Sequence, residues 1–583
     1  MTAQEALKKY WGYDDFRPLQ AEIVESVLAG HDTLALMPTG GGKSLCFQVP
    51  TMVMDGLCLV ITPLIALMKD QVENLRRRNI QAAAIYTGMS YEQQKTALDN
   101  CMWGPYHFLY VSPERLESEE FRERLARLPI CLIAVDEAHC ISQWGYDFRP
   151  SYLKIAEIRA IIANSPSPIA QRASNNQVPI LALTATATPE VVDDIQERLT
   201  FREKNVLRKS FARENISYVV RESNKKADEI VHILNRVPGS AIVYVRNRQR
   251  AQELAAYLQE KGISADFYHA GLSSKERSAK QEAWKAFGVE SRKSNVESQR
   301  TRVIVATNAF GMGIDKPDVR VVIHHDLPDT IEAYFQEAGR AGRDEQKAFA
   351  VLLYDPSDKT KARKRIADNY PDEETLHNVY HKTCNYLGVG ADSGQGACFF
   401  LDMFDLCKKM HLPVFPTYSA LHLLSQMGYI SFDEEQEIQP RVRLRVTRRE
   451  LEEYRLSEEE NSLVEHLMRE YTGIFTELQY VHKLDDKHQE LAALAQKRII
   501  DYVPRTKANV LRLSVNRQAE IRIPQEFYKQ RKNHYANKLK AMVEYAENKH
   551  YCRSQVMLAY FGENDAPVCG TCDICRAALN TKH

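Results

Sequence analysis

Short runs of wholly apolar residues, separated by helical stretches, constrain the fold of this chain more than any other feature of its sequence. In the first 210 residues these runs occupy positions 33–37, 57–62, 106–111, 131–135 and 179–183. Strands that are covered on both faces of a parallel sheet are apolar throughout rather than alternating. Strands that alternate with helices build a doubly wound sheet. We therefore expect a doubly wound parallel α/β domain over residues 1–210.

The same alternation recurs further along the chain. Apolar runs lie at residues 241–245, 265–269, 303–307, 319–324 and 348–353. They predict a second doubly wound domain over residues 211–355, so the fold class is α/β. After residue 355 charged helical segments dominate. An exception is 417–446, where a helix followed by two strands, the second at 441–446, outlines a winged-helix-like unit.

Composition and charge exclude several classes of protein. The 583 residues include 77 lysines and arginines and 77 aspartates and glutamates. The zero net charge excludes a wholesale polyanion binder, although a local basic surface is enough to hold nucleic acid. No apolar run in the sequence approaches the ~18–20 residues that are needed to span a membrane. We also see no secretory signal. We expect a cytoplasmic protein with no membrane partner.

A glycine-rich loop follows the first apolar run and opens a helix. Residues 37–44 read Met-Pro-Thr-Gly-Gly-Gly-Lys-Ser. Glycines let backbone N–H groups surround a phosphate, Lys43 would reach the β- and γ-phosphates, and the Ser44 hydroxyl would coordinate Mg²⁺. The sequence therefore predicts a site for ATP with Mg²⁺, to which the loop also contributes Thr39, Gly40, Gly41 and Gly42.

Two acids and two arginines complete this predicted site. Asp136 and Glu137 end the fourth apolar run, at the edge where parallel strands meet their ligands. Asp136 would hold Mg²⁺, and Glu137 would polarise the attacking water. Arg340 and Arg343 share one helical face and would neutralise charge on the γ-phosphoryl group, provided that the two domains face each other across the nucleotide. The alternative is a solvated helix end with ordinary surface arginines.

Four of the twelve cysteines crowd the C-terminus. Four thiolates at this spacing suit a tetrahedral Zn²⁺, and no position is left open for water, which makes the ion structural. Adjacent Cys-x-x-Cys units also occur as redox dithiols, an interpretation that the absence of a preceding thioredoxin-like strand disfavours. The predicted zinc ligands are Cys552, Cys569, Cys572 and Cys575.

Together these motifs resemble those of the RecQ family of superfamily 2 DNA helicases. The family's adenine-recognition motif matches at Tyr13, Arg17 and Gln20, and a DNA-contact motif matches at residues 62–71, beginning with Thr62 and Pro63. The resemblance covers residues 10–355 and 531–576. It implies two tandem RecA-like domains and a zinc module. The sequence itself places a mostly helical region with the winged-helix-like unit before the C-terminal four-cysteine zinc module.

The most diagnostic match is an aromatic-rich loop at residues 140–150, which in the family is thought to sense single-stranded DNA. Trp144 and Phe148 offer stacking faces for bases, and Arg149 offers a cation for a phosphate or a ring. Core packing is the simpler explanation of the two aromatics, but an intervening glycine and polar flanks favour a loop. This chain has Tyr146 where the family usually has histidine.

The resemblance implies an ATP-dependent 3′–5′ DNA helicase that translocates on single-stranded DNA and unwinds duplexes in recombination and repair. The implied cofactors are ATP with Mg²⁺ and a structural Zn²⁺, and the implied partners are single-stranded and duplex DNA. We also expect a monomer, nucleoid-associated if bacterial, that meets single-strand-binding protein and other repair proteins. Two alternatives stay open: an ATP-gated DNA-binding or remodelling protein that unwinds poorly, and a DEAD-box-like RNA helicase.

The zinc module departs from the family order, in which it directly follows the second helicase domain. Here about 170 residues lie between the two. Apolar positions from Tyr535 to Ala546 recur at helical spacing and predict a helix that leads into the first zinc ligand. This helix would be one arm of a hairpin, and the zinc site would pack against the second α/β domain. The predicted segments are 356–384 for the first arm, 385–525 for an insertion, and 526–583 for the second arm and zinc module.

Overall fold

The computed structural model describes the chain except residues 39, 87, 88, 90, 143–148, 164–177, 289–299, 312–315, 439, 455, 472, 477, 478, 482–486, 504, 505 and 581–583. The chain divides into two compact units. One comprises Met1–Ala362 and His534–His583, and the other comprises Arg363–Asn533. Among the described residues, no helix is both long enough and apolar enough to cross a membrane.

The first α/β domain has seven strands: β1 (Thr33–Leu36), β2 (Leu57–Ile61), β3 (Gln81–Ile85), β4 (Tyr106–Val111), β5 (Ile130–Val135), β6 (Ile180–Thr184) and β7 (Val206–Arg208). They form one parallel sheet in the order β3-β4-β2-β5-β6-β1-β7. The central strands β1, β2, β5 and β6 are buried along their whole length. Because helices cover both faces, these strands are apolar without alternation.

The helices of this domain are α1 (Ala3–Trp11), α2 (Gln20–Leu28), α3 (Leu45–Val53), α4 (Ile65–Arg77), α5 (Tyr91–Trp103), α6 (Glu119–Ala126), α7 (Lys154–Ala163) and α8 (Pro189–Arg198). Short 3₁₀ helices cover Pro113–Glu117, Ala138–Ile141 and Pro150–Leu153. Helix α3 starts directly after the glycine-rich loop, so the loop lies at the carboxyl edge of the sheet, where parallel sheets bind ligands.

The second α/β domain has six strands: β8 (Ile216–Glu222), β9 (Ser240–Tyr244), β10 (Ala265–Tyr268), β11 (Val303–Ala306), β12 (Val319–His324) and β13 (Ala348–Tyr354). Their order is β10-β11-β9-β12-β13-β8, and all neighbours are parallel. The helices are α9 (Lys226–Arg236), α10 (Arg248–Glu260), α11 (Ser274–Lys285) and α12 (Ile331–Ala338). The prediction of two tandem doubly wound domains is confirmed.

The remaining elements are α13 (Ser357–Asn369), α14 (Glu373–Tyr386), β14 (Cys398–Leu401), α15 (Met403–Met410), α16 (Val414–Gln426), β15 (Ile430–Ile438), β16 (Arg441–Leu444), α17 (Glu458–Glu470), β17 (Gln479–Tyr480), α18 (His488–Gln496), β18 (Ile500–Val503), β19 (Thr506–Leu513), α19 (Gln525–Glu547), α20 (Arg553–Tyr560) and α21 (Asp573–Asn580). A 3₁₀ turn covers Glu450–Glu453. The four cysteines lie around α20 and α21, in the first unit.

The cysteine module packs against the second α/β domain. A carboxylate oxygen of Asp573 accepts a hydrogen bond from the backbone N–H of Val220 at 3.1 Å, on the edge strand β8. The ring of Phe561 lies 5.1 Å from that of Phe211 and 5.2 Å from that of Phe335. The module therefore packs on this domain through residues that are more than 200 positions apart in the sequence.

The winged-helix-like unit is present in the second unit, but its second wing strand is not the predicted one. Helices α14, α15 and α16 pack on an antiparallel sheet of order β14-β19-β15. The partner of β15 is therefore β19, and the strand Arg441–Leu444 pairs with β17 and β18 instead. Its apolar residues Val442 and Leu444 are buried in a separate small core, which explains the different pairing.

Between β15 and β19 the chain forms a small module of its own. The strands β17-β16-β18 and the helices α17 and α18 share this core. On β16, Arg443 lies 2.5 Å and Arg445 3.5 Å from the carboxylate of Asp501. The charges of Arg443 and Arg445 are thus partly neutralised within the module, as on an ordinary solvated sheet face.

The division of the chain also differs from the predicted insertion at 385–525. The second unit begins at Arg363, because Leu376, Val379 and Tyr380 of α14 belong to the core of the winged-helix-like unit. Most of the segment 356–384 therefore packs with the second unit rather than as an arm of the zinc module. The predicted helix of the second arm corresponds to α19, which runs from one unit into the other.

Candidate active site and metal centre

The glycine-rich loop adopts a backbone that other residues would strain. Gly40 and Gly42 have φ angles of 83° and 76°. A Cβ atom at Gly42 would lie 2.4 Å from Nε2 of Gln20, so glycine is required here by both conformation and space. The predicted residue Thr39 lies outside the described residues. The loop has the shape expected of a cradle for phosphate.

Two residues of the predicted adenine motif hold this loop. Nε2 of Gln20 donates to the carbonyl oxygens of Gly41 and Gly42, both at 3.1 Å. Nη1 of Arg17 donates to the carbonyl oxygen of Gly40 at 3.0 Å. The motif at the start of the chain and the phosphate loop are therefore one hydrogen-bonded structure.

A cleft of about 630 Å³ gathers most of the predicted nucleotide site. It is lined by residues of both α/β domains. The predicted residues among them are Tyr13, Arg17, Gln20, Gly40, Gly42, Lys43, Ser44, Glu137, Arg340 and Arg343. The sequence analysis assigned no nucleotide contact to five further residues that line the same cleft: Gln48, Gln71, Asn74, Arg78 and Gln336. The polar residues of α4 recur about one turn apart, which is the signal that could have identified them.

The two acids lie together at the carboxyl end of β5. The backbone N–H of Glu137 donates to Oδ1 of Asp136 at 3.0 Å, and Glu137 has a left-handed backbone with φ of 49°. Burial, reinforced by the neighbouring Glu137 carboxylate, raises the pKa of Asp136 to about 6. Burial acts on Glu137 too, but the charges of Lys43, His139 and Arg340 outweigh it and lower its pKa. Glu137 is therefore ionised at neutral pH.

The two arginines come from the segment that follows α12. Arg340 is 5% exposed, and its Nη1 donates to the carbonyl oxygen of Gly311. The side chain of Arg343 lies beside Gly40 of the glycine-rich loop. A Cβ atom built at Gly40 would be 3.7 Å from Cγ of Arg343. The structure thus brings the second domain's arginines to the first domain's loop, as the finger interpretation requires.

The predicted DNA-contact residues do not all lie in the part of the chain that the structure describes. Thr62 and Pro63 are buried, and the Thr62 hydroxyl donates to Oδ2 of Asp136 at 3.4 Å. The Thr62 side chain therefore contacts Asp136, and DNA contacts at Thr62 and Pro63 remain predictions. Arg149 is half-buried, and its Nη1 lies 3.7 Å from Oε1 of Glu114. Trp144, Tyr146 and Phe148 lie outside the described residues.

Two polar contacts around the acids were not predicted. The hydroxyl of Tyr152, which is fully buried, donates to the carbonyl oxygen of Asp136 at 3.0 Å. Nδ1 of His139 lies 2.9 Å from the hydroxyl of Thr184 at the end of β6. These contacts connect Tyr152 and the end of β6 to the segment that carries the two acids.

The four C-terminal cysteines fit a zinc ion. Their Sγ atoms all lie within 4.8 Å of one another. A tetrahedral Zn²⁺ with bonds of ~2.3 Å would bring its sulfurs to about 3.8 Å. Backbone N–H groups of Cys569, Cys572 and Cys575 donate to the Sγ atoms of Cys552, Cys569 and Cys572 at 3.3 to 3.4 Å, and such bonds favour thiolates.

Two parallel-sheet domains line one shared cleft, and family models identify them as the two domains of a helicase. A model of DEAD/DEAH box helicases matches residues 17–195, the helicase conserved C-terminal domain matches 225–345, and RecQ zinc-binding matches 514–576. Among solved structures, yeast Mss116p bound to single-stranded RNA and AMP-PNP is 17% identical with a TM-score of 0.49, covering 63% of this chain and 75% of that one.

Sequence relatives identify the family. ATP-dependent DNA helicase RecQ of Haemophilus influenzae is 41% identical over 382 residues, covering 65% of this chain and 58% of the relative. The RecQ helicase of Synechocystis is 38% identical over 358 residues, covering 60% of this chain and 70% of the relative. The chain belongs to the RecQ family. It spans 58%, 53% and 67% of the length of three of its nearest relatives.

Proposed function

We propose that the protein is an ATP-dependent DNA helicase that couples ATP hydrolysis to 3′–5′ translocation on single-stranded DNA and to duplex unwinding. The cleft shared by the two α/β domains carries this proposal, because Lys43 and Glu137 of one domain line it together with Arg340 and Arg343 of the other. A nucleotide bound there would draw the domains together, and its hydrolysis would let them part. Cycles of closure and opening can move a strand that contacts both domains.

The roles of the residues follow from their chemistry. Residues 39–44 would hold the phosphates of ATP, and Ser44 and Asp136 would hold Mg²⁺. Glu137, which is ionised, would orient and polarise the attacking water. Arg340 and Arg343 would stabilise the charge that develops on the γ-phosphoryl group. Tyr13, Arg17 and Gln20 would recognise the adenine, and Cys552, Cys569, Cys572 and Cys575 would hold a structural Zn²⁺.

DNA as the substrate is supported by the names of the relatives. Those from Haemophilus influenzae, Pasteurella multocida and Bacillus subtilis are named ATP-dependent DNA helicases. One relative from a mimivirus, 38% identical over 372 residues, is named a putative ATP-dependent RNA helicase. We propose Trp144, Phe148 and Arg149 as DNA contacts. We further propose a cytoplasmic monomer that acts in recombination and repair alongside single-strand-binding protein and other repair proteins.

Strand displacement tests the proposal. Duplexes of DNA and of RNA, each with a 3′ or a 5′ single-stranded tail, are incubated with ATP and the protein, and Glu137→Gln serves as the inactive control. We expect unwinding of the 3′-tailed DNA alone. Comparable unwinding of RNA would favour an RNA helicase, and DNA-stimulated ATPase without strand separation would favour a remodelling protein.

A further inference from the structure

Helix α12, which leads into the paired arginines, is enclosed by its neighbours. Six of its eight residues are buried. Its first turn is capped by the hydroxyl of Thr330, which accepts a hydrogen bond from the backbone N–H of Ala333 at 3.1 Å. So short a helix has little stability of its own, and packing determines its position.

The zinc module provides the polar contact that holds the first turn of α12. Glu332 is 2% exposed, and its Oε1 lies 2.8 Å from Nζ of Lys538 on α19. The hydroxyl of Tyr560 on α20 donates to its Oε2 at 3.0 Å. Both carboxylate oxygens of a buried acid are therefore engaged by the module, which fixes their geometry closely.

Aromatic contacts extend the same interface along α12. The ring of Tyr334 lies 5.4 Å from that of Tyr545 on α19. The ring of Phe335 lies 5.2 Å from that of Phe561, directly after α20. Pairs at these separations add stability beyond the area they bury. The module thus holds α12 by polar contacts at Glu332 and by aromatic contacts at Tyr334 and Phe335.

The backbone that follows α12 is also held firmly. The guanidinium of Arg213 donates to the carbonyl oxygens of Gly339, Ala341 and Gly342, each at 3.1 Å. These carbonyls flank Arg340. Because the segment is rigidly connected to the helix, a shift of α12 is passed to the arginines instead of being absorbed by a flexible turn.

The module reaches the linker before β8 as well. Oε2 of Glu563 accepts a hydrogen bond from the Ser210 hydroxyl at 2.7 Å, and Oε1 accepts one from the backbone N–H of Phe211 at 2.8 Å. Arg213 lies two residues further along this linker. The module therefore contacts both supports of the arginine segment, α12 and the linker.

We propose that Glu332 is a positioning residue for ATP hydrolysis, through which the zinc module holds α12 and so keeps Arg340 and Arg343 at the γ-phosphate. Glu332 lies about 9 Å of helical rise from the end of α12 at Ala338, and Arg340 follows two residues later. Glu332 does not line the nucleotide cleft, so it acts only through the helix. The inference rests on the proposed function, because it requires turnover of ATP.

The test compares Glu332→Gln with Glu547→Gln. Glu547 serves as the control because it lies on α19, the helix of Lys538, and binds Lys359 at 3.0 Å and Tyr354 at 2.8 Å, neither of which belongs to α12. We expect Glu332→Gln to lower the DNA-stimulated kcat about tenfold, since small misplacements of catalytic groups are costly. The KM for ATP and the zinc content should stay within about twofold of the wild type, and Glu547→Gln should retain the wild-type kcat.

Two further variants keep the test decisive if Glu332→Gln, which leaves Lys538 buried without its carboxylate, folds poorly. Tyr560→Phe removes one hydroxyl and should lower kcat about threefold, the effect of one hydrogen bond. The double variant Glu332→Gln with Lys538→Gln restores a neutral pair and should recover part of the lost kcat.

A wild-type kcat in Tyr560→Phe and in any folded Glu332→Gln protein would overturn the proposal. So would a raised KM at constant kcat, or an equal loss in Glu547→Gln. A wild-type protein without ATP turnover would instead refute the proposed function, and this result is distinct from the others.

Discussion

The two α/β domains share a parallel sheet covered by helices, yet their carboxyl edges carry different chemistry. In the first domain β1 leads into the glycine-rich loop and α3. In the second domain β8 leads into Ser223, Asn224 and Lys225, without a glycine. The second domain instead contributes arginines to the cleft. One fold can thus either bind a nucleotide or act on a nucleotide that is bound elsewhere, and mutations should separate binding from turnover.

The largest effect should come from a mutation in the glycine-rich loop of the first domain. Lys43→Ala removes the cation that would hold the β- and γ-phosphates, so both ATP affinity and turnover should be lost, with DNA-stimulated ATPase lower by on the order of 10³-fold or more. Titration calorimetry with AMP-PNP and a coupled ATPase assay measure the two quantities. Substantial ATPase in clean, folded Lys43→Ala protein would show that the loop is not the nucleotide site.

Removal of zinc should lower ATP turnover without changing nucleotide affinity. Cys572→Ser breaks the four-sulfur site, so the module that packs on α12 should loosen and kcat should fall roughly tenfold or more, while AMP-PNP affinity stays unchanged. Zinc analysis, calorimetry and ATPase assays on one preparation check this. An equal loss of nucleotide affinity would mean that the module supports both domains alike.

A smaller effect is expected at Thr62. Its hydroxyl donates to Asp136 at 3.4 Å, so Thr62→Val should lower ATP turnover about threefold, the effect of one weak hydrogen bond. Thr62→Ser keeps the hydroxyl and serves as the control. Affinity for single-stranded DNA, measured by fluorescence anisotropy, should not change. Weaker DNA binding by Thr62→Val with normal ATP turnover would instead support the predicted DNA contact at Thr62.

The smallest effect should follow removal of the small module that lies between β15 and β19. Ile438 and Thr506 are paired neighbours on β15 and β19, so residues 439–505 can be replaced by an Asn-Gly turn. Because the module has its own core, ATP turnover should stay within about twofold of the wild type. A shortened protein that does not fold would show that the module stabilises the winged-helix-like unit.

Local sequence patterns predicted the two α/β domains because the central strands, such as β5, are wholly apolar runs, whereas the edge strands β3, β7 and β8 carry polar residues and were not predicted. They could not predict the wing, since β15 and β19 are paired across a long insertion. The strand Arg441–Leu444 was correctly predicted as a strand, but alternation of apolar residues does not specify which strand is its neighbour. Pairing between distant segments is a property of the folded chain.

The same limit applies to the site. Lys43 and Glu137 follow buried strands within recognisable motifs, and they do line the cleft. Asn74 on α4 and Arg78 directly after it line the cleft as well, although no motif marks them. The exposure of Thr62 could not be read from its motif, because burial depends on the packing of neighbouring strands.

Nucleotide affinity and turnover of Arg343→Ala, measured on one preparation, test most directly whether the second domain acts on a nucleotide held by the first. We predict that the Kd for AMP-PNP stays within about threefold of the wild type while the DNA-stimulated kcat falls about 10³-fold, as for loss of an arginine finger. A weakened affinity with unchanged kcat would contradict this division of labour, because Arg343 would then only help to bind the ground state.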